Sequence, residues 1–286
     1  MQVNLWFNQK LERMMKKIGI VLSGGGVRGV AHIGLLKALH NNGIKPDYIA
    51  GASAGAVIGA LYANDFNADE MLRFFKKTPI FSFSNYSAKK PGLLDSDRYR
   101  RFFEEYFPED DFSALKRSLF VATTDIVHAK TRIFFNGELI RPLLASAALP
   151  PIFTPIEIDG NLYADGGIMN NFPVEPLIQR CDIIIGSFVN PIKRIKKNHL
   201  INSMRVFQRA YELRFLANSQ AKFKHCDVLF MPNSLYKYGI FDTSQIDNIF
   251  NIGYQTALTQ MDKIFAILNA SEDGIATHLE SAFSEN

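Results

Sequence analysis

The sequence has few residues of the kinds that build metal centres, disulfide frameworks and membrane spans. Its two cysteines, Cys181 and Cys226, are too few for a disulfide framework, and both lie beside strand-like runs, so reduced thiols in a core are expected. The six histidines are scattered singly and no C-x-x-C pair occurs, which indicates no metal and no other cofactor. No stretch approaches the roughly 20 apolar residues that cross a bilayer.

The N-terminal residues lack the uninterrupted apolar stretch of a secretory signal. Basic side chains at Lys10, Arg13, Lys16 and Lys17 stand among mixed apolar residues, so we expect a cytoplasmic protein, with peripheral contact at the inner membrane face as a further option. The formal net charge of +4 is modest and fits an anionic membrane surface at least as well as nucleic acid. We therefore do not expect a nucleic-acid partner. The sequence does not predict whether the protein is a monomer or an oligomer.

The composition is that of a globular domain. Of the 286 residues, 47% are hydrophobic and 21% are charged, so the chain can bury a large core and disorder is not indicated. Because no repeat or low-complexity linker divides it, we predict one domain over residues 1–286. Within this domain we distinguish a motif-bearing core at 17–188, an extension of helices and strands at 189–268, and a polar tail at 269–286 that is expected to fray.

Strand-like and helix-like segments alternate from the start of the core. The first are a strand, a glycine loop, a helix closed by Gly43, a second strand, a sharp turn and a second helix, an order that predicts a parallel sheet with right-handed crossovers. The predicted strands are 17–22, 47–50, 119–123, 131–135, 161–163, 181–188 and 227–231. The predicted helices are 30–42, 54–64, 69–77, 97–107, 174–179, 201–224 and 243–268.

The sharp turn carries a G-x-S-x-G motif, Gly51-Ala52-Ser53-Ala54-Gly55. Between a strand and a helix, this spacing is typical of a nucleophile elbow: Gly51 and Gly55 keep side chains out of the way, and the serine hydroxyl projects alone. The helix that follows would place its positive N-terminal end beneath Ser53, where negative charge develops during acyl transfer. The alternative is a tightly packed turn of small residues without chemistry.

The glycine loop, Gly24-Gly25-Gly26-Val27-Arg28-Gly29, also matches G-x-G-x-x-G between a strand and a helix, the context of a dinucleotide site. Such a site needs an acidic residue at the end of the next strand. Asp47 lies instead at the start of that strand, which weakens this reading. The second interpretation is an oxyanion hole, because bare backbone N–H groups beside Ser53 would bind a developing negative charge. A tight turn without a ligand is the third.

The general base is less evident than the nucleophile. The histidines that follow Ser53 in the chain are His128, His199, His225 and His278, and none has a turn-flanked setting. Asp165 is the better candidate, since it ends a short strand and is followed by Gly166 and Gly167, which leave room for a substrate. A carboxylate within hydrogen-bonding distance can accept the serine proton during attack. The alternative for this Asp-Gly-Gly is an ordinary hairpin turn.

Taken in order, these motifs resemble the patatin-like phospholipases, with the bacterial type as the nearer match. Two further stretches contribute: the alanine-rich 145–153 ahead of Asp165 and the polar 170–174 after it. The resemblance spans about residues 17–188. Two departures are Ser23, where plant members often have aspartate, and Leu149, where a third alanine is common. Neither touches the serine or the aspartate.

The resemblance implies a three-layer α/β/α fold with a mainly parallel central sheet, acting on lipid acyl esters without a metal. By position, Ser53 is the nucleophile and Asp165 the base of a Ser-Asp dyad that has no histidine. The backbone N–H groups of Gly24, Gly25, Gly26, Val27 and Arg28 form the oxyanion hole, and Gly29, Gly51, Gly55, Gly166 and Gly167 support the motifs. The Arg28 guanidinium braces the loop or meets a lipid phosphate.

The expected function is therefore that of a serine lipid acyl hydrolase of the phospholipase A or lysophospholipase kind. The alternatives are a small-ester or thioester hydrolase, a regulatory protein of this fold with little turnover, and, last, a dinucleotide-binding oxidoreductase. An aromatic-rich stretch at 74–86 would either cap an acyl site or pack in the core. A basic stretch at 191–197 would either touch anionic headgroups or remain a solvated loop.

Overall fold

An eight-stranded sheet forms the centre of the molecule. The computed structural model describes residues 16–78 and 99–269. The strands are β1 (Ile18–Leu22), β2 (Tyr48–Ala52), β3 (Ser118–Asp125), β4 (Lys130–Phe134), β5 (Ile156–Ile158), β6 (Asn161–Asp165), β7 (Ile183–Ser187) and β8 (Val228–Phe230). Their order is β5-β6-β3-β2-β1-β7-β8, with β4 also paired to β3. The pairs among β3, β2, β1, β7 and β8 are parallel, whereas β4, β5 and β6 pair antiparallel.

Helices cover the sheet. They are α1 (Val30–Asn41), α2 (Ala54–Ala63), α3 (Ala68–Lys77), α4 (Arg100–Glu104), α5 (Ile140–Ser146), α6 (Gly167–Asn170), α7 (Ser203–Ser219), α8 (Ile246–Leu258) and α9 (Met261–Asn269). Short 3₁₀ turns join several of them, including one at Gly26–Gly29 in the glycine loop. None of the helices among residues 16–78 and 99–269 is long and apolar enough to cross a membrane.

Alternating side chains on β1 place core on both faces of the sheet. Ile20 and Leu22 belong to the larger core, which includes residues of α1 and α2, whereas Val21 between them belongs to a second core with Phe172 and Phe188. Because successive strand residues point to opposite faces, one apolar run supplies both cores. The molecule therefore has three layers, and the predicted α/β/α class with a mainly parallel sheet is confirmed.

The extension at 189–268 is built into the same sheet and core. It supplies the edge strand β8 and the helix α8, which packs on α1 through two glycines. A Cβ on Gly34 would lie 2.4 Å from the carbonyl oxygen of Phe250, and one on Gly253 would lie 2.2 Å from that of Ala31. Only glycine allows the two helix backbones to approach so closely.

Several predicted elements are wrong or shifted in the described part of the chain. Residues 174–179 form turns rather than a helix, because their bonds run from Leu177 N–H to the Val174 carbonyl and Pro176 has no N–H to give. The helix predicted at 201–224 ends at Ser219 in a 3₁₀ turn, and the one at 243–268 is divided between α8 and α9. The hairpin alternative for Asp165-Gly166-Gly167 is also wrong, since α6 begins at Gly167.

Other predictions fall partly outside the described residues. Of the aromatic-rich stretch at 74–86, Phe74 and Phe75 are buried in the larger core, while 79–86 lie outside the described residues. The start of the helix predicted at 97–107 and the tail beyond Asn269 lie outside them as well. Neither β5 nor α5, which both precede Asp165 in the chain, is predicted from the sequence.

Candidate active site

Ser53 lies at a strained turn between β2 and α2. Its φ of 51° and ψ of −127° are unusual for a residue other than glycine. A Cβ on Gly51 would lie 2.6 Å from the backbone nitrogen of Ala56, and one on Gly55 would lie 2.2 Å from the carbonyl oxygen of Leu22. The two motif glycines therefore allow the helix to start directly against the sheet, and Ser53 is left at the end of β2 with 7% of its surface exposed.

Asp165 reaches the same place along one edge of β3. Strand β2 pairs with the first part of that edge, where Ala52 lies opposite Ala122, and β6 pairs with the next part, where Asp165 lies opposite Thr123. Strand β4 occupies the other edge of β3 at the same residues. The last residues of β2 and β6 thus meet end to end, which brings the Ser53 hydroxyl close enough to the Asp165 carboxylate to lower its pKa.

The Asp165 carboxyl is 2% exposed, and this burial raises its pKa from 3.8 to about 6. Two hydrogen bonds partly oppose the shift: one from the Ser53 hydroxyl and one of 2.7 Å from the Gly167 N–H to Oδ1. The group is thus ionised at neutral pH and much more basic than an ordinary aspartate. Within residues 16–78 and 99–269 no histidine ring bonds to Ser53 or Asp165; His128, for example, pairs with Asp125 at 2.9 Å.

Ser146, the last residue of α5, connects both candidate residues to β3. Its hydroxyl accepts a 2.8 Å hydrogen bond from the Ser53 N–H and donates one of 2.6 Å to the Ala122 carbonyl. Its own carbonyl accepts from the Gly166 N–H, and the Ala148 carbonyl accepts from the Asp165 N–H. The alanine-rich segment at 145–153 therefore holds the turn of Ser53 and the strand end of Asp165 in one hydrogen-bonded unit.

Replacing Ser146 by alanine is expected to lower the free energy of unfolding by about 1–3 kcal/mol, because a buried N–H and a buried carbonyl lose their partner. Urea unfolding would measure this loss. Ser118→Ala, at an exposed position of the same strand β3, is the matched control and is expected to change the free energy little. Equal unfolding curves for the Ser146 and Ser118 variants would contradict this role.

The glycine loop follows β1 and runs beside Ser53, because β1 and β2 are parallel neighbours with Leu22 opposite Gly51. A Cβ on Gly24 would lie 3.0 Å from that of Ser53. Three of the five candidate N–H groups already have acceptors: Gly24 donates to the Asn171 carbonyl, Val27 to that of Ile240, and Arg28 to that of Gly25. Among the described residues no acceptor takes the N–H of Gly25 or Gly26, and Gly26 is partly exposed.

The Arg28 side chain braces the loop. It is 1% exposed, its Nη2 lies 2.7 Å from Glu212 Oε1, and its Nε donates a 2.7 Å hydrogen bond to the Tyr238 carbonyl. Burial lowers the pKa of Arg28, and the Glu212 carboxylate opposes that shift. Of the two roles expected for this guanidinium, the geometry favours bracing over contact with a lipid phosphate.

His32 on α1 holds the other end of the loop. Its Nε2 lies 2.9 Å from the Ser23 carbonyl oxygen, which can only accept, so Nε2 carries the proton and Nδ1 accepts from the Ser187 hydroxyl at 2.7 Å. The ring is completely buried, and this burial lowers its pKa from 6.5 to about 4. Nothing in the local pattern of α1 distinguished His32 from an ordinary core residue.

His32 should make the protein less stable in acid. Between pH 6.5 and about 4 the unfolded chain binds a proton at this residue and the folded chain does not, so stability is lost as the pH falls through that window. The expected contribution is about 3 kcal/mol. Chemical unfolding of the wild type and of His32→Gln across the window measures it; a wild-type-minus-variant difference that does not change with pH would contradict it. The difference is needed because Asp165 titrates in the opposite sense over part of the same range.

Asn171, which belongs to the polar stretch 170–174, is a buried polar side chain beside the glycine loop and the Asp165 turn. It is 0% exposed, and neither Oδ1 nor Nδ2 has a hydrogen-bond partner among the described residues. Its amide fills the space beside two glycines: a Cβ on Gly24 would lie 2.5 Å from Oδ1, and one on Gly167 would lie 2.7 Å from it. Asn171 therefore separates the glycine loop from the Asp165 turn.

The remaining sequence candidates lie apart from this constellation. Both cysteines are free, and burial raises the pKa of each thiol to about 12, so neither is a reactive thiolate. No group of three or more potential metal ligands occurs within the described ranges. The structure thus brings together Ser53, Asp165 and the glycine loop, which the sequence analysis singled out as candidates. It adds His32, and it adds Ser146 and Asn171, which the sequence analysis covered only as members of the stretches 145–153 and 170–174.

Comparison with known proteins relates the chain to one family of lipid-acting enzymes. Lysophospholipase NTE1 of Cryptococcus neoformans var. neoformans is 32% identical over 171 residues, which cover 57% of this chain and 10% of that protein. Neuropathy target esterase sws of Drosophila sechellia is 35% identical over 166 residues, covering 54% and 11%. The chain thus spans about a tenth of the length of these curated relatives.

A solved structure and a family model also match this chain. The crystal structure of VipD from Legionella pneumophila matches 87% of this chain and 67% of its own with a TM-score of 0.51; at 14% identity this likeness concerns the fold alone. The family model described as patatin-like phospholipase matches residues 20–178, more than half of the chain. The chain belongs to the patatin-like phospholipase family.

Proposed function

We propose that this protein is a serine hydrolase that cleaves the carboxylic esters of phospholipids or lysophospholipids, with Ser53 as the nucleophile and Asp165 as the general base. The observation that carries the proposal is that Ser53 and the buried Asp165 meet where β2 and β6 end on β3, and that burial raises the pKa of this carboxyl to about 6. A base is most effective when its pKa lies near the working pH, and this carboxylate is both ionised and basic at neutral pH.

The reaction follows from this pair. The Ser53 oxygen attacks the acyl carbon while its proton passes to Asp165, and the carbonyl oxygen becomes an oxyanion. When the intermediate collapses, the ester C–O bond breaks, the proton goes to the leaving alcohol and an acyl-enzyme remains. Water then attacks the acyl-enzyme, Asp165 accepts its proton, and the fatty acid leaves as Ser53 recovers the proton.

The oxyanion is assigned to the N–H groups of Gly25 and Gly26. Of the five loop residues they are the two whose N–H groups are not taken by an acceptor within the described chain, and they follow Gly24, on which a Cβ would lie 3.0 Å from that of Ser53. Gly26 has a φ of 57°, a conformation in which a side chain would be strained and would also meet the Ile240 carbonyl. The start of α2 directly behind Ser53 adds the positive end of a helix dipole.

A lipid substrate is favoured by the family and by its relatives, a lysophospholipase and an esterase. A fatty acyl ester in a membrane would require the protein to meet the bilayer surface, so we include peripheral membrane contact in the proposal. A small-ester or thioester hydrolase uses the same chemistry and is distinguished by substrate alone. A regulatory protein without turnover would have no use for a strained serine bonded to a basic carboxylate.

The first test is labelling with a fluorophosphonate, followed by mass spectrometry of the labelled peptide. We expect a single adduct on Ser53. A panel of phospholipid, lysophospholipid, triglyceride and short-chain esters then identifies the class of substrate. An unlabelled wild type, or an adduct on another serine, would overturn the proposal. Hydrolysis of the short esters alone would support Ser53 as the nucleophile and contradict the proposed lipid substrate.

A further inference from the structure

A basic groove opens in the C-terminal part of the described chain. Its volume is about 570 Å³, and its walls are residues 193–196 and 198–201, one side of α7, and Tyr236 with Lys237. Its six lysines and arginines are Lys193, Arg194, Lys196, Arg205, Arg209 and Lys237. Glu212 is its one acidic residue.

The positive charge of the groove is not neutralised within the described residues. Glu212 is occupied, because its Oε1 accepts from Arg28 at 2.7 Å and from Gln208 at 2.8 Å, while its Oε2 lies 3.5 Å from Arg209. Arg194, Lys196, Arg205 and Lys237 form no ion pair with an acidic residue in that part of the chain. A concave surface lined by one sign of charge concentrates ions of the opposite sign, so this groove attracts anions.

The segments that line the groove also hold the glycine loop. The chain enters the groove just after Val189, whose N–H donates to the Ser23 hydroxyl at 3.0 Å, and Asn190, whose amide donates to the Gly24 carbonyl. Glu212 on the groove wall pairs with Arg28 of the loop. The loop and the groove are thus two sides of one wall.

The segment that contains Tyr236 and Lys237 is also joined to the glycine loop. Tyr236 and Lys237 line the groove, and the residues that follow them, Tyr238 and Ile240, accept hydrogen bonds from Arg28 and from the Val27 N–H. A ligand in the groove therefore lies directly behind the loop to which we assign the oxyanion.

We propose that the groove binds the phosphate of a phosphate ester. Several arginines favour phosphate over a single carboxylate, since guanidinium groups bind its oxygens in pairs and a dianion draws on more than one cation. The binding itself does not depend on the proposed function, whereas its effect on catalysis does. The phosphate belongs either to a lipid headgroup or to a water-soluble phosphate ester, and the test separates these sources.

The test measures binding to the Ser53→Ala protein, so that hydrolysis does not interfere. The ligands are lysophosphatidic acid, glycerol 3-phosphate and, as the ligand without phosphate, monoacylglycerol. The groove variant Arg194→Gln/Arg205→Gln removes two exposed cations that form no ion pair in the described chain. Lys224→Gln/Lys263→Gln makes the same charge change at exposed positions outside the groove. Thermal unfolding checks that both variants fold.

We expect the groove variant to bind lysophosphatidic acid about tenfold more weakly or worse, with monoacylglycerol unaffected and the control variant unchanged. Added salt should weaken the phosphate-dependent part of the affinity. Binding of glycerol 3-phosphate as well would assign the groove to phosphate esters in general; its failure to bind would assign the groove to lipid headgroups. Equal losses in the groove and control variants, or an equal loss for monoacylglycerol, would overturn the proposal.

A kinetic arm adds the consequence for catalysis in the protein with Ser53 intact. The groove variant should raise KM for a phosphate-bearing lysophospholipid about tenfold and leave that for monoacylglycerol unchanged. If the wild type hydrolyses none of these esters, the proposed function fails while the binding result still decides the groove. If hydrolysis is observed but the groove and control variants behave alike, the proposed phosphate binding in the groove is wrong and the proposed hydrolase function is retained.

Discussion

Replacing Ser53 by alanine is expected to lower kcat by about 10⁴-fold or more, because removing the nucleophile of an acyl-transfer enzyme leaves only binding and oxyanion stabilisation. The same change should abolish fluorophosphonate labelling. The measurement is hydrolysis of a chromogenic ester together with the best lipid found in the panel. The loss is expected in kcat, since the side chain forms and breaks bonds rather than holding the substrate.

The protein should remain folded when Ser53 is changed. Alanine has the same difficulty with a φ of 51° as serine has, so the strain of the turn is kept. The motif glycines and the hydrogen bond from the Ser53 N–H to Ser146 are also kept. Ser118→Ala is again the control and should have full activity. A Ser53→Ala protein that hydrolyses esters at the wild-type rate would end the assignment of this serine.

The local parts of this arrangement could be read from the sequence. The strained turn at Ser53 requires glycines on either side, and the sequence has Gly51 and Gly55 at that spacing. The glycine loop is recognisable for the same reason, since Gly26 has a positive φ and lies against the Ile240 carbonyl. The alternation of strands and helices predicted a parallel sheet, which the pairing of β3, β2, β1, β7 and β8 confirms, whereas the three-layer class was implied by the family resemblance. Each of these signals comes from the backbone of a short segment.

The parts that depend on distant segments could not be read in this way. Asp165 reaches Ser53 because β6 continues along the edge of β3 on which β2 ends, and no local pattern encodes that register. The N–H groups of Gly24 and Val27 are taken by the carbonyls of Asn171 and Ile240, far along the chain. Ser146 looks like one more small residue in an alanine-rich helix until its two hydrogen bonds are known.

Replacing Asp165 by asparagine is the second large change, and it should lower kcat by about 10³-fold. Asparagine has the same shape and can still accept the hydrogen bond from the Ser53 hydroxyl, but it cannot take the proton. The elbow and the glycine loop should keep their geometry, so labelling becomes slow without Ser53 moving. His128→Gln is the control, and its activity should match that of the wild type because His128 pairs with Asp125 and not with Asp165.

The pH dependence of the wild type should report the same carboxyl group. Because the base must be ionised and burial raises its pKa to about 6, kcat/KM should rise through that pH and then level off. Below the pKa it should fall about tenfold for each pH unit. In Asp165→Asn the residual activity should lack this limb. A residual activity with the same limb would assign the titration to another group.

Stability should change in the opposite direction to activity. Above pH 6 the folded protein holds an ionised carboxylate in a buried site, which the unfolded chain exposes to water, and the raised pKa corresponds to a cost of about 3 kcal/mol. Asp165→Asn should therefore unfold at higher denaturant concentration than the wild type at neutral pH, and the gain should disappear as the pH falls from about 6 to 3.8, where the wild-type carboxyl is protonated in both states. A structural aspartate held by ion pairs would lose stability on the same change. If Asp165→Asn is more stable but inactive, Asp165 is a base whose buried position lowers the stability of the fold in exchange for reactivity. A variant that is both inactive and less stable at every pH would show instead that Asp165 is a structural residue.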